Sequence, residues 1–113
     1  MMFHVVLDIF SGMPNPGWSL GLDQSLALAA ILSGLPVVDP ATMPGPPDLG
    51  YRGFEISGFG GVCDIYRVFQ GHVDACGRVM ADDGRAVELW LLHSARELLP
   101  PDLHAGLLAE FGG

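Results

Sequence analysis

Lysine is absent from this chain and arginine is scarce. Five arginines (Arg52, Arg67, Arg78, Arg85, Arg96) stand against thirteen acidic residues, for a formal net charge of −8. Clustered basic side chains are what bind phosphate backbones by releasing counterions, so a nucleic-acid partner is not expected. The same charge repels anionic lipid. Long apolar runs are also missing. The best candidate, residues 26–35, is closed by Gly34 and Pro36 far short of the ~20 residues a membrane span requires. The first eight residues lack the basic start and small-residue cleavage site of a signal peptide. Cysteine is limited to Cys63 and Cys76, which suits a reducing compartment, and together these features lead to a cytoplasmic expectation. No lysine means no phosphate loop of the G-x-x-x-x-G-K type, and no G-x-S-x-G elbow presents a serine nucleophile.

What is present is a chain of 113 residues, half of them hydrophobic, sufficient for one core and insufficient for two. A single domain over residues 1–113 follows. Residues 3–10 alternate apolar and mixed positions, the period of a strand, and the stretch 11–17 with Pro14 and Pro16 must turn. Trp18, Ser19 and Leu20 then read as a short strand returning antiparallel. Asp23 is placed to cap a helix over 24–33, whose near-absence of polar residues after Ser25 predicts cover on most sides. Four prolines between 37 and 49 give an irregular connection across the surface. Residues 51–57 and 65–73 read as two further strands. Glycines at 53 and 71 inside them suggest a bulge or a close backbone approach. Val79 and Met80 are a candidate edge strand.

Asp82 or Asp83 caps a helix over about 85–98, with Val87, Trp90, Leu91 and Leu98 on its core stripe. Pro101 opens a last helix that turns Leu103, Leu107, Leu108 and Phe111 inward. The expected fold is α+β. It has an antiparallel sheet of about four strands, helices mainly on one face, and the order β-β-α-β-β-α-α.

Two segments hold the candidate binding residues. One is Ser11-Gly12-Met13-Pro14-Asn15-Pro16-Gly17-Trp18, a loop stiffened by two prolines in which Asn15 can bond local backbone and Trp18 offers a large amphipathic surface. The other is Leu49-Gly50-Tyr51-Arg52-Gly53-Phe54, where Arg52 can present a guanidinium to a carboxylate or phosphate, or pair internally with Asp8 or Asp48. In these two motifs the chain resembles a family of small bacterial proteins with an SG-x-PNP-x-W motif and an LGYRGF motif, and the resemblance extends to the RAVELWLL run at 85–92. It implies no particular activity.

Two readings of the motif loops stand side by side. In one they converge, and Asn15, Trp18, Tyr51 and Arg52 form a recognition patch of the residue types that dominate interface hot spots. In the other they are structural turns whose aromatics pack into the core. No catalytic residues, cofactor or metal site are expected. His4, His72, His93, His104, Cys63 and Cys76 show no ligand spacing, and His72 and Cys76 lie too far apart along a strand to chelate. A disulfide between Cys63 and Cys76 is not expected either, because they flank what reads as one nine-residue strand. The functional expectation is a non-catalytic recognition or accessory domain acting on a protein or peptide partner. The first alternative is a small-molecule or metal-binding protein supporting a biosynthetic enzyme. The second is a small enzyme, with Ser11 or a cysteine as nucleophile.

Overall fold

The computed structural model describes residues 2–10, 14–61 and 63–112. Six antiparallel strands form one sheet in the order β2-β1-β3-β4-β5-β6. They are β1 (His4–Leu7), β2 (Gly17–Ser19), β3 (Phe54–Ser57), β4 (Ile65–Phe69), β5 (His72–Ala75) and β6 (Arg78–Ala81). The helices are α1 (Leu22–Ser33), α2 (Ala86–Ser94) and α3 (Pro101–Glu110). The α+β class and the antiparallel sheet agree with the sequence reading, but the expected count of about four strands and the order β-β-α-β-β-α-α do not.

The difference has one local cause. Residues 65–73 do not run straight. Gln70 and Gly71 both take positive φ (45° and 75°), and β4 folds back on β5 with Phe69 opposite His72. Cys76 and Gly77 repeat the device (54° and 94°), so β5 folds back on β6 with Ala75 opposite Arg78. Positive φ at both central residues is the signature of the two-residue turn whose twist matches paired strands. Gly71 is thus a turn residue and not a bulge within a strand.

That fold-back also overturns the expectation of unpaired cysteines. Because 65–73 is a hairpin, Cys63 and Cys76 meet at a Cα–Cα separation of 5.8 Å and form a disulfide. It fastens the β3–β4 loop to the β5–β6 turn. Disulfides persist mainly in oxidising compartments, so the compartment argument drawn from free thiols lapses.

The core lies between one sheet face and the helices. Val5 on β1, Trp18 on β2 and Ile56 on β3 are in register, as are Leu7, Phe54, Val68, Val73 and Met80 across five strands. Leu28 and Leu32 of α1, Val87, Leu91 and Leu92 of α2, and Leu107 of α3 with Phe111 just beyond it join the same buried cluster. Leu103 and Leu108 pack on it partly buried. Helix α1 begins at Leu22, with the Gly21 amide donating to Gln24 Oε1 (3.3 Å). It is covered on one side only: Leu22 and Leu26 are each more than half exposed. Helix α2 is shorter than expected and ends at Ser94, so Trp90 is half-buried at its flank and Leu98, beyond the helix end, is exposed; neither is the core residue expected. Asp82 does cap α2, accepting from the Val87 amide at 2.9 and 3.0 Å. Burial holds its carboxyl above the ordinary carboxylate range, against the opposing pull of the Val87 and Glu88 amides. No helix among the described residues is long and apolar enough to cross a membrane.

Candidate functional site

The two motif loops meet at Asp8. The ladder between β1 and β3 continues past both strands through the Asp8 amide to Gly53 carbonyl (2.9 Å) and the Arg52 amide to Asp8 carbonyl (2.8 Å). Asn15 sits where β1 runs out. Its side-chain oxygen accepts from the amides of Ile9 (3.0 Å) and Phe10 (2.8 Å), supplying the partners that a strand no longer provides. Its Nδ2 donates to Asp8 Oδ1 at 3.3 Å. Arg52 reaches the same oxygen at 3.0 Å, and Arg67 reaches Asp8 Oδ2 at 3.2 Å and Glu55 Oε1 at 3.0 Å. Arg67 also donates to the Arg52 carbonyl at 2.8 Å.

Asn15 and Arg52 are therefore brought together, through a residue between them. The cluster balances two guanidinium groups against two carboxylates, so it offers no surplus charge to an anion. Its pairs are partly exposed and each contributes on the order of 1 kcal/mol or less. Ser11, Gly12 and Met13, the start of this motif and the site of the candidate serine nucleophile, lie outside the described residues.

Trp18 and Tyr51 go elsewhere, into the core. Trp18 is 6% exposed and its indole N–H donates to Ser94 Oγ at 2.9 Å. Tyr51 packs its ring against Phe54, Phe69 and Phe111 and donates its hydroxyl to Glu88 Oε2. Burial first, and then the neighbouring Glu88 charge, push the Tyr51 phenol far above its ordinary pKa, so it remains an O–H donor.

Glu88 is fully buried, and the sequence reading passed over it. Besides Tyr51 it accepts from the Gly71 amide (2.7 Å) and twice from Arg85 (2.9 and 3.0 Å). These bonds to Glu88 raise the Arg85 pKa further. Arg85 also lies 4.7 Å over the Phe111 ring. A signal was available: Glu88 is three and four residues before Leu91 and Leu92, hence on their buried face. Every acceptor site that Tyr51, Arg85 and Gly71 approach is filled, which makes the cluster a structural hub with no vacancy for a substrate.

Elsewhere on the surface a groove of about 680 Å³ is lined by Gln24, Trp90, His93, Ser94, Arg96, Glu97 and Leu98. Trp18 anchors it from beneath through Ser94. Leu98 is 65% exposed. Arg52, Arg67 and Arg85 are each in ion pairs; Arg96 makes none with any described residue. Among the described residues no three His, Cys, Asp or Glu side chains cluster as a metal site. His72 bonds its own turn at the Gln70 carbonyl (3.0 Å), and Cys76 is held in the disulfide. No protein-family model, curated protein or solved structure matches this chain.

Proposed function

We propose that this chain is a non-catalytic recognition domain that works by contact with a protein partner, and that the Trp90–Leu98 groove is the contact surface. One observation carries the reading. A half-buried tryptophan, a largely exposed leucine and an arginine free of ion pairs to described residues line one concavity. Tryptophan and arginine are the types most enriched among residues that dominate binding energy. Of Asn15, Trp18, Tyr51 and Arg52, Trp18 alone touches this surface, holding Ser94 in place from beneath. The partner segment that fits carries an apolar side chain for Trp90 and Leu98 and a carboxylate for Arg96.

The test uses two baits matched in amount, wild type and the double variant Arg96→Glu/Leu98→Asp. Both changed side chains are exposed, so the melting temperature is expected to hold. A protein retained by wild type and reduced about tenfold or more on the variant supports the groove, in line with hot-spot truncation. Equal retention on both baits excludes it.

A further inference from the structure

A second concavity lies between α1 and the sheet, away from the groove. Its volume is about 340 Å³, at the lower end of the range of small-ligand sites, ~300–1,000 Å³. One part of the wall is apolar: Phe3 from the N-terminal strand region, Leu32 and Leu35 from the end of α1 and beyond, Phe59 from the β3–β4 loop, and Met80 from β6. Phe59 is sandwiched between Phe3 (4.4 Å between ring centroids) and Tyr66 (3.9 Å, nearly parallel), so the aromatic wall is locked before anything enters. The loop that delivers Phe59 is itself fixed. Asp64 Oδ1 accepts from the amides of Gly58 and Gly60 (3.2 and 3.1 Å), and Cys63 ties the loop to the turn just before Arg78.

One cation completes the site. Arg78 lines the cavity, is exposed, and makes no ion pair with any described residue in a protein of net charge −8. Ser33, also in the lining, spends its hydroxyl hydrogen on the Ala30 carbonyl (2.9 Å), leaving the oxygen as an acceptor.

We infer that this cavity binds a small organic monocarboxylate with a ring-sized apolar body, the carboxylate forked by Arg78 and the body set among Leu32, Leu35, Phe59 and Met80. The single guanidinium sets the charge. A planar carboxylate matches its paired N–H groups, whereas a dianionic phosphate would find one cation in a strongly acidic protein. The apolar side chains set the body, since Leu32, Leu35, Phe59 and Met80 offer a ring a surface without hydrogen-bonding groups. This site is independent of the groove proposed above.

The experiment titrates the protein with 2-naphthoate and, separately, with the uncharged 2-naphthamide, read by calorimetry. Saturable naphthoate binding is expected, weakened about tenfold by Arg78→Gln, the scale of one lost charge-assisted fork, and only partly restored by Arg78→Lys, which keeps the charge and loses the fork. Naphthamide binding should be weaker than naphthoate and indifferent to Arg78. Arg78 is exposed, so neither variant is expected to disturb the core; equal thermal melts confirm it. An absence of saturable naphthoate binding in the millimolar range overturns the inference. So does a naphthoate affinity that Arg78→Gln leaves unchanged.

Discussion

Glu88→Ala is expected to destabilise the protein by about 3–5 kcal/mol, the scale of breaking a buried ion pair by removing one partner. The substitution deletes the common acceptor of three donors. The Tyr51 hydroxyl would stay buried without a partner and the part-buried Gly71 amide would lose its acceptor, and Arg85 would keep its charge with only the Glu110 carbonyl (3.3 Å) and the Phe111 ring beside it. Each unsatisfied buried group costs about 1–3 kcal/mol. Against a total stability of roughly 5–15 kcal/mol for a domain, the loss would leave little margin. Tyr51→Phe removes one donor and leaves the hub otherwise intact, so its cost should be no more than about half as large. Urea melts of both variants decide it. A Glu88→Ala midpoint within error of wild type would show that water enters and replaces the carboxylate.

Gly53→Ala is expected to cost roughly 4 kcal/mol, from two independent sources. Gly53 has φ +107°, a region L-residues adopt only under strain of about 1–3 kcal/mol. A Cβ there would also run into the Val68 carbonyl oxygen and sit 3.1 Å from Phe69 Cβ. The obstacle is backbone of the neighbouring strand, which cannot swing aside, and overpacking of this kind costs a further ~1–3 kcal/mol. The measurement is the denaturation midpoint, with Gly60→Ala as control. Gly60 also has positive φ (+69°), but nothing lies within 4 Å of its added Cβ, so only the strain should appear. Equal losses in the two variants would remove the argument from close approach.

The sequence carried the β1–β2 hairpin and the existence of all three helices through alternation and proline placement, and the α2 cap at Asp82. The expected α1 cap at Asp23 and the cover on most of its sides are not found, since Gly21 holds the cap position and Leu22 and Leu26 face outward. The misreading at 65–73 came from treating Gln70-Gly71 as strand because both flanks are apolar. Glutamine at positive φ is uncommon, so the residue types did not announce the turn. The cysteine pairing was lost with it, since the distance estimate assumed an extended chain. At the candidate site, the link between Asn15 and Arg52 was partly legible, as Asp8 was named among possible partners of Arg52. The inward turn of Trp18 and Tyr51 was one of two readings, and their partners, Ser94 and Glu88, are 76 and 37 residues away along the chain. No local pattern encodes such distances. The Arg78 cavity was invisible for the same reason: its walls come from five separate segments.

The place of β1 inside the sheet has a consequence for the order in which the molecule assembles. Strands β3 to β6 form a meander in which Arg67 need only find Asp74 and His72 need only find Ala81. His4 must instead find Ser57, closing a loop that includes α1 and the proline-rich connection. Loop entropy and contact order favour the short closures, so the meander forms first and β1 slots in late, bringing β2 with it. During synthesis the segment bearing Phe3, Val5 and Leu7 therefore waits, uncovered, until β3 has left the ribosome. Its sticky interval is set by the length of chain between the two strands, and pulsed hydrogen exchange during refolding would read it as late protection of the Asp8 amide, which donates to the Gly53 carbonyl, relative to the Val68 and Val73 amides.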